Sequence, residues 1–386
     1  MATSSQSRFT TAAPRTRSRT AMLWQNFDFI LMGATLLLII IGILFIRSAT
    51  LDAVDTDLIG RVDSQITYTI LGMFVVIALA ALDYRLLGAL EPYIYLFLIF
   101  ALAMVAVVGQ IGDAGAQRWL DVGIPVQPSE IGKMLIILAL GNHLSKRYEQ
   151  LDKFSTVVIS IIYFAIPATL IFLQPNLGNV IAFTVIWLSM IWGAGLRFKH
   201  IGILALIGMC LLPVLWINMQ DYQRERILTF INPEAEENSA AQFNRDQALI
   251  SIGSGGLTGK GYTNGSQTQG RFLRVRHTDF IFSVIAEEAG FLGATTVIFL
   301  MGVVVWRILD VATNARDELG ALICYGVAGI ITFQTVVSIG MNLSILPVTG
   351  LTLPFVSSGG SSLLTLLFGI GLVQSVAMRN KYTNLI

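Results

Sequence analysis

"RVRHTDFIFSVIAEEAGFLG" occupies residues 274–293. Arg274, Arg276, His277 and Asp279 crowd its first third, and an apolar run begins immediately after Asp279. A run of that character is a membrane helix in outline, with a carboxylate at its lip. Glu287 and Glu288 follow about two turns further in, roughly 12 Å along a helix. Glu287 is about 80° and Glu288 about 180° away from Asp279 around the axis, so no paired carboxylates of the glycosidase kind arise here.

The whole chain reads the same way. Of its 386 residues 54% are hydrophobic and 13% charged, with mean hydropathy +0.71. Soluble domains carry about 25% charged residues, so lipid is the implied solvent. A net charge of +1 gives no field for a nucleic-acid partner. Cys210 and Cys324 both lie in apolar runs and read as two buried free thiols, and no Cys/His cluster has zinc spacing.

A membrane helix needs about 20 apolar residues. Ten runs qualify: 27–47, 65–82, 91–109, 128–145, 155–173, 177–194, 201–217, 279–306, 320–340 and 360–378. The fold class is therefore all-α and polytopic, with one large loop, 218–278, between spans seven and eight. "LQPNLG" precedes the sixth run, where Pro175 and Gly178 mark a tight hairpin or a re-entrant break. Residues 1–22, Ser/Thr/Arg-rich and without an acid, read as a disordered basic tail, and 23–386 as a single transmembrane domain. The first apolar run is too long for a signal peptide and lacks a small-residue cleavage site.

Lys and Arg in the short loops set orientation. With the N-terminus inside, the cytoplasmic loops hold basic residues from Arg8 to Lys381, and the short outer loops hold only Arg47, Arg61 and Arg118. Both termini are then cytoplasmic, and the Asp279 lip and the long loop face outward. No nucleotide is available there, so chemistry must use a substrate already activated and delivered through the membrane.

The long loop carries "SIGSGGLTGKGY". As a P-loop it fails twice, with Ser254 in place of the first glycine and Gly261 after Lys260. The glycines instead shape a tight backbone, which is either a plain loop or an anion nest beside Lys260. Arg224, Arg226, Arg245, Lys260, Arg271, Arg274 and Arg276, with Arg118 in "GAQRWLDVG", form a basic lid. Such a lid suits a lipid-borne phosphate or pyrophosphate, or anionic headgroups in general. Glu130 and Lys133, at i,i+3 inside the fourth span, share a helix face and read as an ion pair or the lining of a polar cavity. His277 reads as orienting its turn or as a titrating group. Thr278 is placed as an N-cap with Asp279 in the first turn. There the helix N-terminus favours the carboxylate and apolar surroundings oppose it.

"GAQRWLDVG", "QPSEIGK", "DYQRERILTFINPE", "SIGSGGLTGKGY", "RHTDFIFSVIAEEAGFLG" and "NLSILPVTGLTLPFVSSGGSSLL" occur in this order. Together they resemble the SEDS family (shape, elongation, division, sporulation), and its elongation branch more than its division branch. The resemblance covers nearly the whole chain after residue 22. It implies ten spans and a peptidoglycan glycosyltransferase that polymerises lipid II on the outer face of the bacterial cytoplasmic membrane. Its essential aspartate corresponds to Asp279. The implied partners are a single-span class B penicillin-binding protein and scaffold proteins of the elongation machinery. Two departures stand out. Arg274-Val275-Arg276 replaces an often acidic stretch, and Ser358 stands where the family often has tyrosine.

The resemblance also implies inversion, from an α-linked diphosphate to a β-1,4 glycan. One displacement needs one base on the acceptor hydroxyl and positive charge for the departing diphosphate. Asp279 is the expected base. Arg118, Lys260, Arg224 and Arg226 are the expected diphosphate ligands, and Glu130 with Lys133 the polar cavity. A divalent cation, Mg or Mn, with Asp279 as its ligand is the alternative. A lipid II flippase and a scaffold that activates the transpeptidase are the competing functions. No internal repeat of the transporter kind is visible.

Overall fold

The computed structural model describes residues 24–51, 58–111, 117–121, 125–151, 153–196, 198–219, 221–231, 240–273 and 275–380. The tail expected over 1–22 lies outside them, as does Arg274. A helix falls on each of the ten apolar runs. They are α1 (Phe29–Ala49), α2 (Arg61–Ala81), α4 (Glu91–Val108), α5 (Pro128–Ser145), α6 (Phe154–Leu173), α7 (Leu177–Gly193), α8 (Phe198–Asn218), α12 (Ile281–Thr313), α13 (Glu318–Asn342) and α14 (Gly360–Ala377). A short helix, α3 (Tyr84–Ala89), precedes α4.

Six of these helices, α1, α2, α6, α12, α13 and α14, are long and apolar enough to cross a membrane, and α4 and α7 are shorter apolar helices. α5 is missing from that set for a physical reason. Glu130, Lys133, Asn142 and His143 lower its hydropathy, yet all four are buried. α5 lies inside the bundle against α4, α7, α13 and α14. Its surroundings are protein, so its faces need not suit hydrocarbon.

Two of the segments between the apolar runs carry structure of their own. The 218–278 segment is largely helical, with α9 (Asp221–Ile231), α10 (Ala240–Ser254) and α11 (Ser266–Gln269). Between α4 and α5 the chain is not helical. It forms a small antiparallel sheet of β1 (Gln110–Ile111), β2 (Gln117–Asp121) and β3 (Pro125–Val126), in that order. Gln110 faces Trp119, and Leu120 faces Val126. The break at "LQPNLG" is a tight turn: α6 stops at Leu173, and the Asn176 side chain caps α7 by accepting from the Asn179 N–H. Of the two cysteines, Cys324 is buried as expected, but Cys210 is exposed on α8 and does not contribute to the core.

The two ends of the bundle are tied differently. At one end ion pairs join separate helices. Asp28 caps α1 at the Leu31 N–H and pairs with Arg307 at 2.8 Å. Arg85 pairs with Asp317 at 2.6 Å, and Arg379 with Asp83 at 3.7 Å. Gln374 and Asp28 exchange two hydrogen bonds. The opposite end, where α1 finishes and α12 begins, is held by buried carboxylates, amides and hydroxyls.

Candidate active site

α12 is not one continuous helix. Gly290 has φ 68° and ψ −165°, which divides it into a first segment, 281–289, and a longer second one. A break of this kind orphans carbonyls before it and N–H groups after it. The glycine-rich loop satisfies both sets. Lys260 N–H donates to Glu287 O and Gly261 N–H to Glu288 O, both at 3.0 Å. In return Phe291 and Leu292 donate to Gly256 O and Leu257 O at 2.9 and 3.1 Å. A Cβ on Gly259, itself at φ +81°, would overlap the backbone of Glu288 and Ala289. Of the two readings of these glycines, a plain loop or an anion nest, the bonding favours a tight structural loop, because the N–H groups of Lys260 and Gly261 are spent on helix carbonyls.

Both carboxylates just before the break are buried and held. Glu287 accepts from Lys260 Nζ at 3.0 Å, Ser266 Oγ, Gln267 N, Thr268 N and Thr268 Oγ1. Glu288 accepts from Ser48 Oγ of α1, Thr263 N and Gln269 Nε2. Lys260 therefore has a structural partner in Glu287. Arg224 is similarly engaged, donating to Trp216 O and Ile217 O at the end of α8. Arg118 lies on β2 and Arg226 on α9, and their side chains lie outside what the structure describes. Glu130 and Lys133 form the expected pair at 2.7 Å, with side chains 10% and 1% exposed. Next to them Ser129 accepts from Asn176 and Asn179.

The Asp279 lip differs from the sequence reading. α12 starts at Ile281 with Phe280 as N-cap and no side-chain cap of its own. Thr278 is no cap because its hydroxyl turns back to Val275 O, and Phe280 N–H also bonds there. Asp279 precedes the helix and is partly exposed. Three successive carbonyls of the lip are anchored from the C-terminal part of the chain. Ser358 N–H donates to His277 O at 3.0 Å, Ser357 Oγ to Thr278 O at 2.8 Å, and Asn342 Nδ2 to Asp279 O at 2.8 Å. Gln65 of α2 braces the same serines, donating to Ser357 O and accepting from Gly359 N–H.

Charge at the lip is positive. Burial, then Arg61, then Arg276 push the His277 imidazole down to about 4, so it is neutral at neutral pH. Arg61 is exposed at the start of α2. Arg276 is buried, with Nε 2.5 Å from Ala49 O, and its own pKa is lowered by that burial. Among the described residues no group of three His, Cys, Asp or Glu side chains is placed to hold a metal ion. A groove of about 1060 Å³ lies elsewhere: Phe164, Trp187, Leu204, Val305 and Phe333 line it, an apolar wall suited to hydrocarbon and not to sugar.

Sequence reasoning missed Asn342, Ser357, Gln65 and Arg61. Asn342 and Ser357 lie in the quoted C-terminal motif and Arg61 in a short outer loop, but the lip on which each acts is far away in the chain.

Residues 29–382 match the family model described as Cell cycle protein, which unites FtsW, RodA and SpoVE. The chain belongs to this family. The FtsW/RodA/SpoVE match is supported by a peptidoglycan glycosyltransferase, MrdB, of Escherichia coli K12, 34% identical over 92% of this chain and 96% of MrdB. A probable peptidoglycan glycosyltransferase FtsW of Thiomicrospira cyclica is 38% identical over 71% of each chain. Among solved structures, the family fold recurs in one described as the structural coordination of polymerization and crosslinking by a peptidoglycan synthase complex. That chain has TM-score 0.78 and 30% identity, with 92% of this chain and 98% of it covered. RodA of Thermus thermophilus has TM-score 0.66 and 29% identity, covering 93% and 99%. The SEDS resemblance of the sequence is the same family under another description.

Proposed function

We propose that this chain polymerises lipid II into β-1,4 glycan strands at the outer face of the cytoplasmic membrane, with Asp279 as the general base. It is a peptidoglycan glycosyltransferase, as its relatives are, and the finer statement concerns how this site does the work. The observation that carries it is the lip itself. Asp279 sits before a helix, partly exposed, on a turn whose three carbonyls are tied down and whose His277 feels the charges of Arg61 and Arg276.

In the reaction the acceptor 4-hydroxyl attacks C1 of the donor sugar. Its proton passes to the Asp279 carboxylate as the C1–O bond breaks, and the electron pair leaves with the lipid diphosphate. Positive charge at the lip stabilises that leaving group. Lys260 and Arg224 are engaged by Glu287 and by the α8 carbonyls; Arg118 and Arg226 remain the proposed diphosphate ligands, with Arg61 adding positive charge at the lip. Neutral His277 adds orientation and not charge. Among the described residues Asp279 has no two further His, Cys, Asp or Glu side chains placed to share an ion, and no step is routed through a divalent cation.

Ten crossings with both termini cytoplasmic suit the positive-inside pattern. The ion-paired end, with Arg85, Arg307 and Arg379, is then cytoplasmic. A single-span transpeptidase of the class B penicillin-binding type is the proposed partner, since one solved relative couples polymerization to crosslinking. Purified Asp279→Asn, assayed with lipid II in detergent, is the deciding experiment. The expected loss of polymer is at least ~100-fold. A rate within a few-fold of wild type removes Asp279 from the site. Wild-type protein that makes no polymer favours a flippase or a scaffold instead.

A further inference from the structure

The amide of Asn342, at the end of α13, is fully enclosed and uses every hydrogen-bonding valence it has. Oδ1 accepts from Ser283 N–H at 3.0 Å and from Ser283 Oγ at 2.7 Å. Nδ2 donates to Asp279 O at 2.8 Å and to Ser338 O at 2.7 Å. A flipped amide would set oxygen against two carbonyls and NH₂ against an N–H, so its orientation is determined by its partners. No other side chain offers two acceptor sites and two donors from one planar group of this length.

α12 needs this group. Its N-cap, Phe280, has no side-chain acceptor, and Ser283 N–H, near the helix start, makes only a tight-turn bond to Phe280 O at 3.1 Å, which it shares with Asn342 Oδ1 at 3.0 Å. Asn342 caps that N–H from another helix. The same amide holds the Asp279 carbonyl, four residues earlier. One rigid plane therefore spans the turn that carries the carboxylate and clamps it to α13. The far end of the segment is fixed separately, by Glu287 and Glu288 on the glycine-rich loop and α1, and the Gly290 break isolates it from the rest of α12.

We infer that Asn342 is a positioning residue for the polymerisation reaction, setting the Asp279 carboxylate against the acceptor hydroxyl without touching substrate. The inference rests on Asp279 being the base. Placement errors of about 1 Å cost catalysis on the order of 100-fold. Positioning acts on the reacting geometry and leaves lipid II binding to other groups, so the effect belongs in kcat.

The test uses the full chain in detergent with lipid II, measuring kcat, KM and thermal stability for Asn342→Ala, Ser283→Ala, Asp279→Asn and a control, Val297→Ala. Val297 is buried on the second segment of α12, so its truncation loosens the bundle without touching the lip. Asn342→Ala is expected to lower kcat ~10- to 100-fold with KM within about threefold, and Ser283→Ala about threefold or more, while Val297→Ala keeps kcat despite its lower melting temperature. Wild-type kcat in Asn342→Ala, alongside an inactive Asp279→Asn, overturns the inference and leaves the Asp279 reading standing. An active Asp279→Asn overturns that reading and this one with it. Equal kcat losses in Val297→Ala and Asn342→Ala reduce Asn342 to packing. Should Asn342→Ala fail to fold, Ser283→Ala and Asn342→Asp, which keeps the acceptor toward Ser283 and loses the donor toward Asp279, carry the test. Wild-type kcat in both overturns the assignment, and a fall at unchanged KM supports it.

Discussion

Two of the lysine–glutamate pairs among the described residues, Lys133–Glu130 and Lys260–Glu287, are built in opposite senses. In Lys133–Glu130 the cation is the enclosed partner, 1% exposed against 10% for the carboxylate, and Lys133 Nζ bonds to Glu130 Oε1 within one helix turn. In Lys260–Glu287 the carboxylate is fully buried and the lysine 28% exposed. Glu287 also has four other donors, two of them backbone N–H groups. The difference shows that fragility is decided by what remains after one partner goes, more than by the attraction between the two. A stranded charge with other hydrogen bonds survives, and one without them does not.

The largest effect should come from Glu287→Ala. It leaves Lys260, the Gln267 and Thr268 N–H groups and two hydroxyls without their acceptor. A loss of about 4 kcal/mol is expected, read as a fall in melting temperature on the order of 10 °C in detergent. A fall of only one or two degrees breaks the comparison, because the anchored carboxylate would then matter no more than a surface one.

Glu130→Ala comes next, since it strands Lys133 in the interior of α5. About 3 kcal/mol is expected, and Glu130→Ala with Lys133→Ala together should recover part of it. Simple addition of the two single losses, measured as thermal shifts, shows that the residues do not act as a pair. Lys260→Met should cost least of the three, about 1 kcal/mol, because solvent screens the lysine and Glu287 keeps its other donors. A cost matching Glu130→Ala reverses the ranking.

A further prediction concerns pH. His277 has its pKa lowered to about 4 in the folded protein, against an ordinary value of about 6.5. Between those values the unfolded chain binds more protons, so stability falls as pH drops from about 6.5 to about 4 and levels off below. His277→Gln should flatten that part of the stability curve, and an unchanged slope there assigns the acid sensitivity to other groups.

The two pairs also show what the sequence could reveal. Glu130 and Lys133 were legible because helix geometry makes i,i+3 neighbours meet. The membrane helices were legible because lipid demands apolar length. Glu287 with Lys260 was not, since their 27-residue separation is closed by a loop that folds onto a helix break. The lip at Asp279 was located by its motif, but its start was misplaced at Thr278. Local capping chemistry favours threonine, and the actual cap, Asn342, arrives from 59 residues away. The basic lid was overcounted for the same reason. A formal charge is visible in sequence, whereas the carbonyls around Arg224 and the carboxylate beside Lys260 are assembled only by the fold.

The interruption at Gly290 bears on how the chain enters the bilayer. Residues 291–313 form about 34 Å of helix at 1.5 Å per residue, enough by itself to cross a hydrocarbon core of about 30 Å. The insertion machinery can therefore partition that stretch as the greasy segment and leave Glu287 and Glu288 in the headgroup region, sparing two carboxylates a passage through oil. Their partners on the glycine-rich loop, made earlier in translation, are already waiting on the same side.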